Sequence, residues 1–333
     1  MDWRKGFGAS YYASIVDPNT WKSIERFEIK GGAIRATGTG LQEAADIECN
    51  NFNKGEKWIR IYLIAKQNST SETIPMYTGL SCCPDDNIFG YHIENTVQLF
   101  SVLKPCDDIY LPRGWYVPAG SNGAIEIKKL LSPTPAPVII DKDAPTLSSN
   151  IIAENDETNL SMINKILLAI NWRLRIEGDG TIHITDIQKD PIVNFDPISY
   201  DCIEPEIKRS YDWYSCPNVF RAISEGIVEE ARDESPDSPL SIINRGREIW
   251  YNESSCRLNN NETLKQYAAR RLKEEQKVAT IVNYDRRFHP NIRVGDVVNL
   301  NYPAQGLVGN FIISSYSIEL GYGARTSEEV MKI

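Results

Sequence analysis

Between residues 158 and 187 the apolar residues change their period, and that change limits what this stretch can become. Leu160, Ile163, Leu167 and Ile170 recur at spacings of three and four, widened by Met162, Ile166 and Ala169, which is the pattern of a helix with one buried face. Thr158 is the N-cap candidate, and the helix is expected to run to about Asn171. Trp172, Leu174 and Ile176 then alternate with Arg173 and Arg175. Glu177-Gly178-Asp179-Gly180 supplies a tight turn, and Ile182, Ile184 and Ile187 continue as a second strand. The spacing therefore predicts a helix followed by a β-hairpin.

Much of the rest reads as strands. In residues 27–81, with one short helical interruption, Phe27 and Ile29 alternate with charged residues up to Gly31-Gly32. Residues 33–37 form a short run ending at Gly38, and residues 58–64 are rich in aromatic and β-branched side chains. Residues 87–187 are mixed. Helices are expected over 94–103 and 124–131, around a segment 110–118 whose prolines and glycines enforce extended chain and turns, with Pro133, Pro135 and Pro137 as a stiff connector. The acidic residues 227–238 read as an exposed loop. A further helix is expected from Asn261 to about Lys277, with Leu264, Tyr267, Ala268 and Leu272 on its inner face. Strands over 280–285, 297–302, 310–315 and 316–320 close the chain. The two β-rich ends echo each other: Gly55-Glu56-Lys57-Trp58-Ile59-Arg60-Ile61-Tyr62 overlays Gly295-Asp296-Val297-Val298-Asn299-Leu300-Asn301-Tyr302, with glycine, acid, a bulky apolar residue and tyrosine in the same places.

Length and composition exclude several classes. The 333 residues suffice for two or three domains, and 41% hydrophobic with 24% charged residues is ordinary for a folded soluble chain. No apolar run approaches the roughly 18 to 20 residues of a spanning helix, and the polar residues 1–7 do not look like a signal peptide. A net charge of −9 opposes tight binding to nucleic acid phosphates. Seven cysteines without a CxxC pair, two of them adjacent at Cys82 and Cys83, argue against a disulfide framework and for synthesis in a reducing cytoplasm. His92, His183 and His289 lie too far apart for a local zinc site.

Each candidate for chemistry has a plainer reading. The pairs Asp85-Asp86 and Asp107-Asp108, and the Asp141-Lys142-Asp143 run, are read as solvated loop charge rather than an acid–base pair or calcium ligands. Glu177 to Gly180 is a hairpin turn, since no bidentate glutamate follows at the spacing of a calcium loop. His183, between Ile182 and Ile184, is expected on the opposite strand face as a partly exposed structural or interface histidine, and His92 and His289 are read as structural too. No GxSxG elbow or cysteine-hydrolase motif occurs. Trp115 and Tyr116 could stack on sugar rings, but between prolines and glycines they are expected to anchor a loop. The acceptor-like sequences at Asn68, Asn159, Asn252 and Asn261 are chance or caps. Lys265, Arg270, Arg271 and Lys273 interleave with Glu262, Glu274 and Glu275, as on a solvated or subunit-facing helix. No catalytic, cofactor-binding or metal-binding residue is assigned.

The stretch from Arg293 onward, with Val294-Gly295-Asp296-Val297-Val298, Gly309-Asn310-Phe311-Ile312-Ile313-Ser314 and Leu320-Gly321-Tyr322-Gly323-Ala324-Arg325-Thr326-Ser327-Glu328-Glu329, resembles the closing segment of phage tail hub proteins of the baseplate hub family. Trp21, Gly31-Gly32 and Gly55 to Arg60 fit that family's first barrel. Gly114-Trp115-Tyr116-Val117-Pro118-Ala119-Gly120 and the helix–hairpin fit its middle, and Cys216-Pro217-Asn218-Val219-Phe220 fits its return strand. The resemblance implies an α+β, mainly β chain: two tube-like β-barrel domains of similar topology, built mainly from 27–81 and 280–320, flanking α/β middle domains. The expected divisions are 1–84 (first barrel, to be completed in part by later strands), 85–150 (α/β insertion with the Pro-rich connector), 151–215 (helix plus hairpin) and 216–333 (return strand, helix and second barrel). It further implies a structural, non-enzymatic homotrimer at the distal end of a virion tail, made in the bacterial host cytoplasm. That trimer would adapt a six-fold tube to a three-fold tip around an axial channel. The implied partners are the tail tube protein, distal tail or baseplate proteins, the tape measure protein, a tip spike or lysin, and transiently phage DNA. Because the chain stops soon after the closing segment, any cell-wall-degrading or puncturing part is expected on another polypeptide. The competing classes are a tail-associated glycosidase or peptidase, and a carbohydrate-binding receptor module using Trp115 and Tyr116.

Overall fold

The computed structural model describes residues 1–38, 40–50, 52, 55–90, 92–187, 189–195, 203–224, 227–254, 263–276 and 280–333. Two compact units emerge: Met1–Ile207 with Asn283–Met331, and Lys208–Val282. The chain is mainly β with antiparallel pairing prevailing, as expected, and among the described residues no helix is long and apolar enough to cross a membrane.

In the first unit, alternation of apolar side chains builds the strands. β1 (Gly8–Val16), β2 (Ser23–Glu28), β3 (Gly31–Thr37), β4 (Glu43–Asn50), β5 (Trp58–Gln67), β6 (Thr70–Phe89) and β7 (His92–Ser101) follow one another. Every second residue is buried along much of their length: Ile34 and Ala36, Ala45, Ile47 and Cys49, Ile59, Ile61 and Leu63, and Val97 and Leu99. No helix interrupts the described part of residues 27–81, because Glu43–Asn50 carries that period of two. Period two also overrides the helix expected over 94–103, where β7 pairs with both β4 and β6 and only the residues after Ser101 turn helical.

The middle of this unit holds α1 (Lys104–Asp107), β8 (Tyr116–Val117), α2 (Gly123–Leu130), β9 (Val138–Ile140), β10 (Ile151–Ile152), α3 (Asn159–Ile170), β11 (Trp172–Ile176) and β12 (Ile182–Asp186). Thr158 caps α3 by accepting the Ser161 N–H at 3.2 Å, and Asn171 closes it at φ 56° in the left-handed region. Leu160, Met162, Ile163, Ile166, Leu167 and Ile170 face a core that also takes Trp172, Leu174, Ile176, Ile182 and Ile184 from the hairpin. β12 is central, antiparallel to β11 and parallel to β9.

β13 (Val193–Phe195) and β14 (Ile203–Tyr211) follow, the second unit begins within β14 and ends within β18 (Thr280–Arg286), and β19 (Val297–Tyr302), β20 (Leu307–Glu319) and β21 (Thr326–Lys332) come after it. The runs expected at 310–315 and 316–320 are one strand, and its length decides the architecture. Its first half pairs with β19 and its second half, Ser315 to Glu319, with β3. The strands of both β-rich ends are therefore hydrogen-bonded into one 13-stranded sheet, not kept in separate sheets. The echo has a local counterpart: Gly55 and Gly295 both sit at positive φ (65° and 81°), and each leads into a strand, β5 or β19, that pairs antiparallel with the next.

The second unit contains β15 (Val219–Ser224), β16 (Ile227–Arg232), α4 (Ile242–Arg245), β17 (Trp250–Ser254) and α5 (Leu264–Glu275). Residues 227–232 are thus a strand rather than the expected loop, paired throughout with β15. α5 starts later than expected. Thr263 caps it with a reciprocal Gln266 contact, while Asn261 lies outside the described residues. Tyr267, Ala268 and Leu272 pack on Phe220 and Ala222.

Candidate functional site

The Glu177–Gly180 turn is where distant parts of the first unit meet. Alternation along β11 buries Trp172, Leu174 and Ile176 and turns Arg173 and Arg175 to the other face, where both reach Asp296. Arg173 Nη2 donates to Asp296 Oδ1 at 2.6 Å and its Nη1 to the Val294 carbonyl at 2.9 Å. Arg175 Nη2 lies 3.3 Å from Asp296 Oδ2 and 3.0 Å from the Asn291 carbonyl, and Arg175 also pairs with Glu177. The Arg293 backbone N–H donates to Asp296 Oδ2 at 2.9 Å. Asp296 is 1% exposed, so this carboxylate is held by charged donors instead of water.

On its other side the same turn is held by the first strands. Trp21 Nε1 and Arg60 Nη2 each donate to the Asp179 carbonyl at 2.8 Å, and Thr78 Oγ1 donates to the Gly178 carbonyl at 3.0 Å. Gly178 lies so close to β6 that a Cβ there would come within 2.0 Å of the Pro75 carbonyl oxygen. Arg60 and Asp296 belong to the two echoed segments, so each segment contributes one charged residue to the clamp on the hairpin.

A small cavity beside the clamp is lined by Glu43, Arg173, Arg293 and Gly295 among others. Burial pushes the Glu43 carboxyl up to about 7, against the opposing pull of Arg293 and the Tyr316 hydroxyl, which lies 3.4 Å from Glu43 Oε1. A polar cleft on the hairpin's outer face is lined by Asp141, Arg173, Arg175, His183, Thr185 and His289, with others. Here His183, partly exposed on the face opposite Ile182 and Ile184 as expected, has its Nδ1 2.7 Å from Asp141 Oδ1. The parallel pairing of β12 with β9 brings them together. An Asp–His pair is half of a nucleophile-activating relay, but the Thr185 hydroxyl is directed to Asp186 at 3.4 Å. Burial and Arg286 push His289 down to about 4, leaving it neutral, and its Nδ1 accepts the Asn291 N–H at 3.3 Å.

The other sequence candidates stay apart. Asp85 and Asp86 lie on β6, not on a loop, and Asp86 accepts from Asn95. Asp107 and Asp108 pair with Lys104, and Asp186 with Lys142. Trp115 packs against the central core as expected, whereas Tyr116 is exposed. Arg270 and Arg271 pair with Glu274, and Arg271 also with Glu253 and Glu275. Among the described residues no group of three His, Cys, Asp or Glu is placed to hold a metal ion. Cys49, Cys106 and Cys216 are free thiols, and burial pushes Cys49 and Cys106 up to about 11. No local pattern in the sequence marks Asp296, Arg60 or Thr78 as partners of the hairpin turn. The available signal was the pair of arginines alternating with a buried strand, which marks a charged face without naming its partner.

No family model matches the sequence, and no curated protein matches it. Solved structures do. A tail protein from Neisseria meningitidis MC58 superposes with a TM-score of 0.69 at 12% identity, covering 97% of each chain. The fold is that of phage tail proteins. The 43 kDa tail protein of prophage MuSo2 from Shewanella oneidensis gives 0.66 at 14% identity over 98% of this chain and 97% of its own. A prophage tail protein from Listeria monocytogenes EGD-e gives 0.55 at 11% identity over 97% and 94%. The tail-protein fold therefore spans nearly the whole chain, hairpin clamp and inserted unit included.

Proposed function

We propose that this chain is the structural hub of a phage or phage-like tail, capping the distal end of the tail tube as a homotrimer. The observation that carries the reading is the near-complete overlap with tail-protein folds at both the β-rich ends and the middle. A six-fold tube and a three-fold tip need a part that matches both. Two related strand groups per chain, each closing as a tube-like barrel, would give three copies six similar surfaces around an axial passage. The hairpin clamp suits this role, because it ties both strand groups to one rigid element and so fixes their spacing within a chain. Tail tube protein, distal tail or baseplate proteins, tape measure protein and a tip spike or lysin are the partners the position calls for. A net charge of −9 would keep a passage from retaining the DNA that crosses it.

The function assigned is assembly rather than a reaction. Native mass spectrometry of the purified chain, alone and with its tube protein, and imaging of intact tails test it. Three copies at the tail end are expected, and six copies or one would overturn the adaptor reading.

A further inference from the structure

The second unit takes no share of the chain's negative charge: Lys208–Val282 contains twelve acidic and twelve basic residues, so the whole excess lies elsewhere. It is the part of an acidic protein that copies can bring together with least repulsion. Its sheet runs β16-β15-β17, with α5 against one face through Phe220 and Ala222, and among the described residues neither β16 nor β17 has a strand beyond it. Both edges display large apolar side chains, Ile227 and Val228 on β16 and Trp250 and Tyr251 on β17, all exposed. Such edges invite pairing with another chain.

The aromatic groups here are already topped by guanidinium ions. Arg221 lies 4.5 Å and Arg232 5.7 Å from the Trp250 ring, and Arg247 lies 4.5 Å from the ring of Tyr214. A sugar would need those ring faces free, whereas Trp, Tyr and Arg are the side chains that anchor protein interfaces. We propose that a second copy of this chain lays its β16 beside β17, so that the sheet continues from copy to copy. The inference rests on the trimeric reading above. β15 is antiparallel to β16 and parallel to β17, so β16 from a like-oriented copy meets β17 antiparallel. Each copy offers one edge of each kind, and a three-fold axis closes the series with no edge left.

The register can be narrowed. Val228, Glu230 and Arg232 share one face with Trp250, Asn252 and Ser254. Placing Asn252 beside Glu230 of the next copy would set Glu253 beside Glu229, like charge against like charge. Slipping by two residues sets Glu253 beside Ala231 or Ile227 instead, so Asn252 should face Arg232 or Val228.

Cysteine pairs test this. Asn252→Cys is combined in turn with Val228→Cys, Glu230→Cys or Arg232→Cys, oxidised mildly, and compared with the unmodified chain and the single variants on non-reducing gels. Within one chain β15 separates the two positions by two strand spacings, about 10 Å, beyond the roughly 7 Å limit of a disulfide. A link therefore reports two copies. Covalent trimers are expected with the Val228 or Arg232 partner and few with Glu230. A trimer by native mass with no link in any pair overturns this interface and leaves the hub reading standing, while single copies by native mass overturn both. Should the variants fold poorly, hydrogen exchange on the unmodified trimer decides, with slow β16 and β17 amides expected and fast exchange refuting the proposal.

Discussion

Asp296 is a single carboxylate answering two guanidinium groups and a backbone N–H, with almost no access to water. Truncating one partner of such a cluster strands the others, and losses of about 3 to 5 kcal/mol are usual. Asp296→Ala is therefore expected to lower the unfolding free energy measured by urea denaturation by that order, and a loss under about 1 kcal/mol would show that the clamp contributes little. Glu43 makes a prediction about pH. Its folded value, raised from 4.5 to about 7, means that the folded protein holds this proton more tightly than the unfolded chain does. The associated stability is fully present below pH 4.5 and is lost as pH rises through about 7. Glu43→Gln keeps a neutral group at every pH, so its melting temperature relative to the unmodified protein should climb between pH 4.5 and pH 8. A constant difference across that range would refute the assignment.

At the scale of elements, α3 and its hairpin were readable because their signals are local: a cap, a 3.6-residue period, then a change to period two within a few residues. Thr158→Ala should cost about 1 kcal/mol by removing the acceptor for the Ser161 N–H, measured by chemical denaturation. Gly178→Ala tests docking instead of formation. The added methyl would collide with the Pro75 carbonyl, so the turn must withdraw from β6. About 1 to 3 kcal/mol should be lost, with faster exchange at the amides of positions 178 and 179 while α3 amides remain protected. β7 shows the opposite case. Its Glu94 to Ser101 sequence tolerates either reading locally, and strand won because β4 and β6 flank it on both sides.

For the whole molecule, β20 is the deciding strand, since one half pairs with β19 and the other with β3. The two strand groups share its backbone, so within the first unit they are expected to unfold together. Calorimetry resolving separate transitions for the two groups would contradict that coupling. The assembly role predicts that the purified protein releases no fragments from bacterial cell wall. Release abolished by an Asp141→Asn or His183→Ala change would point to the cleft as an enzyme site.

Legible in the residues alone were the mainly β character, the capped helix and hairpin at 158–187, the inner face of α5, and the closing strands that resemble a tail hub. Caps, turns and periods act over a few residues, so they are written where they operate. That β20 joins the two ends in one sheet, and that Trp21, Arg60, Thr78 and Asp296 converge on one turn, follows from how the folded chain packs. Trp21 and Asp179 are 158 residues apart, and Arg173 and Asp296 are 123 apart. An arginine alternating along a strand announces that it needs an anion, but which carboxylate comes within reach depends on how every strand between them pairs.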